Sequence, residues 1–580
     1  MTATVLERPP ATRGPELVEA PVASPGRKRR RPRLARWWFA LAFAVYVVLG
    51  ALLAFHFDSF NGDAQARVGN AYYVLFSRDP HLAAIGFVWN PLPSMSVLPV
   101  LVFSKLWPAL AARAFAGNIV SALFMAGTVV TVRGILADLR VRRTEAVLLT
   151  LLFAAHPMVV YYGANGMSEG LFLFLLTVAT RQLMRYLETG ATRPLLGTAL
   201  ALGFAYYARN EAVAAIALVT FLVFAVQLRR SAGTRRERIR AGFADAVVVV
   251  LPGFFAFVTW AVASWVIVRH PFEQFSSRYG TASQLGAMTA VGFKLADKGL
   301  AMRMTLLMAP LLVAVVVLAG RRVLRRRDLR LLAPMAVLGA VLGFALFAYL
   351  TGQTAGWFRY FITAAPLLVL LTGGLLAPPG VGTARRTGTQ APARPRRSAY
   401  PAIAVAALVL PSLLGEGIAM ADPRIGQEEY LHLSHVFRPG PRPTDALAPT
   451  PRARSLRERE LHPSSERIAR YLDGLHLRQG SIVTDTFSPC IPFIVLASHH
   501  PTQFVITNDR DFHQILDSPS TFHAKYVLAP ADGTLADLDA INRAYPTLAT
   551  DGGGIVQPTP AKEFHEIGCP VFRLYSVIDQ

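Results

Sequence analysis

Long apolar runs separated by short basic connections dominate the pattern of this chain. Twelve runs carry few formal charges, and about 20 apolar residues are enough to cross a hydrocarbon core about 30 Å thick. The pattern predicts a mainly α-helical, polytopic membrane protein with a transmembrane domain over residues 37–420. The runs are 37–57, 91–110, 114–136, 146–162, 170–184, 194–208, 212–228, 246–268, 304–320, 331–350, 358–376 and 402–420.

The placement of arginines predicts the orientation of these runs, because cytoplasmic loops carry an excess of Arg and Lys. Residues 1–36 are basic and rich in Pro and Ala without periodicity, which predicts a disordered cytoplasmic tail. The first run lacks a small-x-small cleavage site, so we expect an uncleaved span that leads outward. The region after residue 420 is then extracytoplasmic. Arginine-rich connections lie at 140–143, 181–193, 229–240, 321–330 and 385–397.

The number of crossings depends on the run 91–110, which carries four prolines and Lys105. Twelve crossings from a cytoplasmic N-terminus would return the C-terminus to the cytoplasm, against the arginine pattern. If the run 91–110 does not cross, eleven spans satisfy every arginine-rich connection. If it does cross, either a thirteenth crossing exists or the cluster at 140–143 breaks the rule. We favour eleven.

The chain changes character after residue 420. Pro and Arg dominate residues 421–462, which predicts a linker, and residues 463–580 alternate strand and helix signals, which predicts a small extracytoplasmic α/β domain. Cys490 and Cys569 both lie in this domain. They form either a disulfide, which an oxidising exterior permits, or two buried free thiols. Strands are predicted at 481–486, 503–508, 524–530 and 572–577, and helices at 465–473 and 535–545.

Composition excludes several classes of protein. Hydrophobic residues make up 53% and charged residues 16%, whereas soluble domains are about a quarter charged. The net charge of +23 would suit a nucleic-acid partner, but the arginines lie in short runs between apolar stretches, so we predict a bilayer partner and no nucleic acid. No Walker A motif, glycine-rich dinucleotide loop or HExxH motif occurs, which disfavours ATP-driven transport, a Rossmann cofactor and a zinc protease.

Polar residues at the membrane edge are costly, so they are the first candidates for function. The first external loop, residues 58–93, contains Asp58, Asp63 and the pair Trp89 and Asn90. Asp63 is the stronger candidate acid, and Asp58 fits an ordinary solvated carboxylate. Trp89 and Asn90 either contact a sugar or anchor the loop at the interface. Further candidates near predicted span ends are Asn165, Glu169, Arg209, Arg278, Arg359 and Tyr360.

Residues 61–94, NGDAQARVGNAYYVLFSRDPH…GFVWNPLPS, resemble the first extracytoplasmic loop of the GT-C membrane glycosyltransferases, including their protein O-mannosyltransferase-like branch. The residues from His156 to Gly170 resemble the group's "P-x-x-x-Y … S-E" segment. The turn after Tyr206 resembles its "R-x-E" turn, and Arg359-Tyr360 resembles its late "R-Y" element. The order of these motifs along the chain strengthens the resemblance.

The resemblance implies transfer of a sugar from a polyprenyl-phosphate carrier to an acceptor hydroxyl at the outer membrane face, with inversion. Asp63 is then the general base and Asp58 the second choice. Arg359, Arg209 and Arg278 are candidates for the lipid phosphate, because arginine stays charged and binds oxygens bidentately. Mannose is the expected sugar; the acceptor is an envelope glycan, a lipid or a protein hydroxyl.

Two points stay open at this level. Glu169 and Asn165 either line the acceptor pocket or help Asp63 to hold a divalent ion; we predict no metal and no other cofactor, because hard cations prefer more oxygen ligands. Arg67 either orients Asp63 or forms a plain surface pair.

The main alternative function is a transporter or flippase of a lipid-linked intermediate, although we find no internal repeat of the kind typical of transporters. A non-catalytic scaffold is a third hypothesis.

Overall fold

The computed structural model describes residues 31–277, 280–290, 297–378, 400–438, 450–531 and 536–578. The predicted helical body is confirmed, since every predicted run lies largely in helix. In chain order the described helices are α1 (Arg31–Ala51), α2 (Gly62–Phe76), α3 (Pro91–Leu101), α4 (Ala109–Ala112), α5 (Phe115–Asp138), α6 (Arg143–Ala154), α7 (Pro157–Ala164), α8 (Glu169–Thr189), α9 (Thr192–Ala208), α10 (Ala212–Arg230), α11 (Arg235–Val268), α12 (Glu273–Ser276), α13 (Thr281–Ala290), α14 (Lys298–Met308), α15 (Leu312–Arg326), α16 (Leu332–Pro334), α17 (Ala340–Leu350), α18 (Ala364–Leu376), α19 (Tyr400–Ala421), α20 (Glu428–Phe437), α21 (Pro451–Asp473), α22 (Ile491–Ala497), α23 (Phe512–Asp517), α24 (Ala540–Ala544) and α25 (Leu548–Asp551).

Seven helices of the described chain are long and apolar enough to cross a membrane, and two bent helix pairs bring the number to nine. The bent pairs are α6 with α7 (58°) and α14 with α15 (70°). Helices α8 and α9 cover two more predicted runs with 21 and 17 residues. At 1.5 Å per residue, α8 is about 32 Å and α9 about 26 Å long, close to the thickness of a hydrocarbon core.

Arginine-rich connections gather at one end of the helical body. Arg181 donates from Nε to Asp138 at 2.8 Å, Arg230 donates to the Tyr186 carbonyl at 3.1 Å, and Arg322 donates to the Leu375 carbonyl at 2.8 Å. Each bond joins two different connections between helices. Gly373, two residues before Leu375, packs against Leu136 and Val141 beside the first cluster. The four clusters between residues 140 and 330 therefore occupy one face, as the orientation rule requires. The fifth cluster, 385–397, lies outside the described residues.

The segment 91–113 begins and ends at the opposite end of the body. At its start, the Asn90 amide donates to Asn210 Oδ1 at 2.9 Å, and at its close Arg113 pairs with Asp58 at 3.0 Å. Helix α3 stops at Leu101, and the chain turns back through α4. The segment therefore does not cross, which supports eleven crossings. The first loop, which is predicted to be external, consequently extends over residues 58–113, beyond its predicted end at residue 93.

Both bent pairs are held together in the middle of the body by side chains of α19. The Ser412 hydroxyl donates to the Met308 carbonyl at the end of α14, and His156, at the break between α6 and α7, contacts Ser412 Oγ at 3.0 Å. Glu416 Oε2 lies 2.6 Å from His156 Nδ1. Polar side chains thus contact both helix breaks, and Ser412 satisfies a backbone carbonyl that could find no water inside a bilayer.

The C-terminal region forms the predicted α/β domain. Its strands are β1 (Ile482–Thr484), β2 (Phe504–Ile506), β3 (Tyr526–Pro530), β4 (Lys562–Phe564) and β5 (Phe572–Ser576). They form one sheet in the order β2-β1-β3-β5-β4. Strands β2, β1 and β3 are parallel, and β5 and β4 are antiparallel to their neighbours. Strand β4 was not predicted, because two of its three residues, Lys562 and Glu563, are charged and leave no apolar pattern.

Three predicted boundaries differ from the structure. Helix α1 begins at Arg31, inside the predicted tail, and the predicted linker contains α20 and much of α21. Thr450 caps α21 by accepting from the Ala453 amide, and Pro451 occupies the first helical position, where its missing amide proton costs nothing. Proline there starts a helix, whereas the composition suggested a linker. The helix predicted at 535–545 shortens to α24, and residues 532–535 lie outside the described part.

A disulfide stabilises the domain internally, and polar contacts dock it on the first loop. Cys490 and Cys569 form a disulfide with their Cα atoms 5.8 Å apart, which decides between the two alternatives. The domain also docks on the first loop: Arg78, just after α2, donates to Asp509 at 3.0 Å and pairs with Asp511. The Asn508 amide donates to the Ala84 carbonyl at 2.8 Å. The loop and the domain therefore lie at the same end of the body.

Candidate active site

Helix α2 places Asp63 at the inner side of the first loop. Asn61 precedes the helix in an extended conformation, and its Oδ1 accepts from the Asp63 and Ala64 amides at 3.0 and 3.3 Å. This cap fixes the first turn of α2. The Asp63 side chain remains 26% exposed, enough to meet a ligand, while Ala64 and Val68 of the same helix are buried.

Arg359 connects Asp63 to two further carboxylates. Its Nη2 donates to Asp63 Oδ2 at 2.7 Å, and its Nη1 donates to Glu428 Oε2 at the start of α20. Its Nε lies 3.7 Å from Glu169 Oε1 at the start of α8. Arg359 is buried, as is Glu169. One guanidinium therefore joins the first loop, the helical body and the segment that follows the last span.

Arg209 forms a second cationic centre beside the first. It follows the end of α9, and its Nη1 donates to Glu169 Oε1. Its Nη2 and Nε donate to Glu211 Oε1 at 2.7 and 3.1 Å. Glu169 thus contacts both arginines through one oxygen, while its Oε2 is buried without a hydrogen-bond partner among the described residues.

Aromatic rings pack against the guanidinium groups of the cavity. The Tyr360 ring lies 5.1 Å from the Arg209 Cζ and 5.6 Å from the Arg359 Cζ. The Trp89 ring faces Arg67, with 4.6 Å between the ring centre and the Cζ. Cation–π contacts at these distances favour a charged guanidinium in a partly dry site.

A cavity of about 560 Å³ opens among these groups, at the end of the body opposite the arginine-rich connections. One part of its lining is charged and another part is apolar, formed by residues such as Phe344 and Ala345 of α17 and Leu285 of α13. That combination suits an amphipathic ligand. The charged lining residues are Asp63, Arg67, Arg209, Glu211, Arg359 and Glu428.

Burial perturbs the two carboxyl groups that begin α20. It raises the pKa of Glu428 to about 7; Arg359 opposes this shift, and Asp63 and Glu169 add to it. Burial likewise raises the pKa of Glu429 to about 8, and the neighbouring Glu428 adds to the rise. Glu429 Oε1 accepts a hydrogen bond from the Tyr162 hydroxyl at 2.5 Å. Both acids therefore hold a proton at pH values where an exposed glutamate is ionised.

The structure brings most of the predicted site residues together. Asp63, Arg209 and Arg359 line the cavity, and Glu169 bridges the two arginines behind it. Trp89, Asn90 and Tyr360 also belong to the lining. The Asn90 amide nitrogen donates to Asn210 and to the Tyr206 carbonyl, so it fixes the loop against the α9–α10 turn and leaves only its oxygen for a ligand.

Two predicted residues do not join this group. Asp58 pairs with Arg113 and is not among the lining residues, so the second-choice base does not share the cavity. Asn165 is buried; its Oδ1 accepts from the Met167 amide, and its side chain does not line the cavity. Arg278 lies outside the described residues.

Sequence reasoning missed Glu428 and gave Glu211 no role. Glu428 was assigned to a linker, although two consecutive acids shortly after a span were a signal that could have found it. Glu211 belongs to the turn that carries Arg209. Among the described residues, no group of three or more His, Cys, Asp or Glu side chains has the arrangement of a metal site. The expected absence of a metal stays a prediction.

The fold can be compared with known proteins. No family model matches the chain, and a search of curated proteins finds no match. The chain is similar to two crystal structures of ArnT from Cupriavidus metallidurans, one bound to undecaprenyl phosphate and one in the apo state. Each comparison has 14% identity and a TM-score of 0.47, and covers 94% of this chain and 98% of the other. Similarity at this level does not assign a function to this chain.

Proposed function

We propose that this protein is an inverting, GT-C-type glycosyltransferase that takes a sugar from a polyprenyl-phosphate carrier at the outer face of the membrane. One observation carries the proposal: a carboxylate, Asp63, a buried arginine, Arg359, and a half-buried arginine, Arg209, share one cavity with both charged and apolar lining. The sequence resemblance supplies the donor class. A polyprenyl phosphate has the matching chemistry, because it joins an anionic head to a hydrocarbon tail.

The proposed reaction is a single displacement at the anomeric carbon. An acceptor hydroxyl attacks C1 from the face opposite the phosphate, the new C1–O bond forms, and the bond between C1 and the phosphate oxygen breaks. Asp63 accepts the hydroxyl proton as attack proceeds. The carrier leaves as polyprenyl phosphate, whose added negative charge the arginines stabilise. A single displacement inverts the anomeric centre.

Binding of the phosphate requires the arginines to exchange partners. In the structure Arg359 is engaged by Asp63 and Glu428. The raised pKa of Glu428, about 7, means that its carboxyl can release Arg359 as a neutral acid, without leaving a buried charge behind. Departure of Glu428 frees the Nη1 edge for a phosphate oxygen. Release of Asp63 by the same guanidinium then makes that carboxylate available as the base.

The proposal also names a class of acceptor and a sugar. Mannose is the expected sugar, and the acceptor is an envelope glycan, a lipid or a protein hydroxyl. The C-terminal α/β domain docks beside the loop that carries Asp63, through Arg78 and Asp509. We assign it a part in acceptor binding, since its position is next to the loop end of the cavity.

The test uses purified full-length protein in liposomes with a radiolabelled polyprenyl-phosphate sugar. Transfer of label to an envelope acceptor supports the enzyme, and movement of the lipid across the bilayer without covalent change supports a flippase. We expect Asp63→Asn to lower the transfer rate at least about 100-fold, because proton acceptance contributes about 10² to 10⁴.

Asp58→Asn is the matched control, since it removes a carboxylate from the same loop outside the cavity and should retain most of the activity. A correctly folded Asp63→Asn protein with full activity would remove Asp63 from the mechanism.

A further inference from the structure

Arg67 differs from the other two arginines of the cavity because, among the described residues, no carboxylate forms a direct ion pair with it. It lies one turn after Asp63 on α2 and is 8% exposed. Its Nη1 donates to the Met167 sulfur at 3.3 Å, and this is its one hydrogen bond to the described residues. Within the described part of the chain, no Asp or Glu oxygen lies within 4.0 Å of its nitrogens. The Trp89 ring covers one face of the guanidinium at 4.6 Å.

The other two guanidinium groups are already occupied. Arg359 is bonded to Asp63 and Glu428, and Arg209 is bonded to Glu169 and Glu211. An anion that enters the cavity must displace a carboxylate to reach either of them. It meets no such competitor at Arg67. A buried guanidinium without an anionic partner is costly, so its presence on a cavity surface indicates a site for an anionic ligand.

We infer that Arg67 is the primary binding group for the donor phosphate, and that Arg359 and Arg209 engage it only after partner exchange. The inference rests on the proposed function and adds a substrate-binding residue to it. The Trp89 ring covers one face of the guanidinium, and the Met167 sulfur accepts a hydrogen bond from its Nη1. Its Nε and Nη2 remain as donors for two phosphate oxygens, which is the geometry that arginine offers to phosphate.

The charges of the cavity support this assignment. Four carboxyl groups contact Arg209 and Arg359 (Asp63, Glu169, Glu211 and Glu428). With Glu428 protonated, three negative charges balance the three arginines of the cavity (Arg67, Arg209 and Arg359). Removal of Arg67 would leave two cations against three carboxylates. The remaining field would then repel a phosphate, because like charges interact strongly in a poorly hydrated site. Arg67 is thus the cation that makes the cavity receptive to an anion.

The test compares two lipids that differ only in the phosphate. Full-length wild-type protein and Arg67→Gln are titrated with undecaprenyl phosphate and with undecaprenol in detergent micelles. We expect Arg67→Gln to bind the phosphate about tenfold more weakly or worse, because a charge-assisted hydrogen-bond pair is lost. Its affinity for the alcohol should equal that of the wild type. Arg113→Gln removes an arginine of the same loop outside the cavity, and both affinities should stay unchanged.

Several outcomes would overturn the inference. Equal binding of the phosphate by Arg67→Gln and wild type would do so, as would a parallel loss for both lipids, which indicates a structural role. An equal loss of phosphate binding in Arg113→Gln would show a general charge effect instead of a site. If Arg67→Gln does not fold, Arg67→Met keeps the packing on Trp89 and is judged by the same criteria. A wild type that does not prefer the phosphate would refute the proposed function itself.

Discussion

At the scale of single residues, the cavity is a set of charges that hold one another in place. Arg359 alone contacts carboxylates from three distant segments, so each substitution there changes the balance of the others. Removal of one member leaves a buried charge without its partner, which costs more than the pair contributes. Amide variants such as Asp63→Asn are therefore better probes than alanine, because they keep the shape and some of the hydrogen bonds.

Glu429 provides a prediction about pH. Its pKa is about 8 in the folded protein, against an ordinary value of 4.5. The folded state therefore binds more protons than the unfolded state between these values, and stability falls as the pH rises from about 4.5 to about 8. We expect Glu429→Gln, which is neutral at every pH and can still accept from Tyr162, to flatten this decline. Thermal unfolding in detergent at a series of pH values measures it.

The exposed acid Glu237 serves as the comparison, because its pKa is lowered and Glu237→Gln should leave the decline intact. A wild-type protein whose unfolding temperature does not change between pH 5 and 8 would contradict a neutral, buried Glu429.

At the scale of elements, the α/β domain supports the helix that carries Asp63. Arg78 follows α2 directly and binds both Asp509 and Asp511 of the domain. Burial raises the pKa of Asp509 to about 6, with Arg78 opposing the shift, so this contact depends on the arginine. The domain thereby fixes the far end of α2, while the Asn61 cap fixes the near end.

We expect Arg78→Ala to loosen this docking, because it leaves Asp509 buried without its cation. Amide hydrogen exchange should rise in α2 and in residues 508–511, and transfer activity should fall several-fold. Arg467→Ala is the matched control: its pair with Glu566 is solvent-exposed and lies within the domain region itself. Exchange in α2 that stays at the wild-type level would show that the domain does not support the helix.

The disulfide is a second stabilising contact at the scale of elements. It joins the start of α22 to the segment before β5 across 79 residues of sequence. Closing a loop of this length restricts the unfolded chain, and its removal typically costs about 2 to 5 kcal/mol. We expect Cys490→Ser to lower the unfolding temperature of the domain, as followed by limited proteolysis. Unchanged proteolysis, with the single remaining thiol accessible, would contradict a stabilising bond.

At the scale of the whole molecule, the two ends of the helical body carry different residues and different structural features. One end holds the arginine-rich connections, and the other holds the cavity, the first loop and the α/β domain. Positive residues stay on the cytoplasmic side, so the cavity end should be external. The site would then face the side on which envelope acceptors are found.

This arrangement predicts a labelling pattern in intact cells. Leu82→Cys in the first loop and Lys562→Cys in the domain should both react with a membrane-impermeant maleimide, since both positions are exposed. Ala191→Cys, between α8 and α9, should react only after permeabilisation. The native cysteines are paired and give no background. Opposite reactivity of positions 82 and 562 would contradict their common face.

Much of this architecture follows from the sequence because its causes are local. Apolar runs long enough for a bilayer became helices, and the proline-rich run 91–110 broke into α3 and α4. The parallel strands β1, β2 and β3 were found from short apolar runs. Only residues 465–473 of helix α21 were found, because its proline-rich start resembled a linker, and the capping bond of Thr450 is visible only in three dimensions.

Sequence alone determined the helical membrane body, its orientation signal and the acid at the head of the first loop, because hydropathy, arginine placement and helix caps act over a few residues. Tertiary structure decided which charges meet. Asp63 and Arg359 are 296 residues apart in the chain and 2.7 Å apart in space. It also decided that Arg359 and Arg209 already hold carboxylates while Arg67 holds none, since the pairing of charges depends on how distant helices pack.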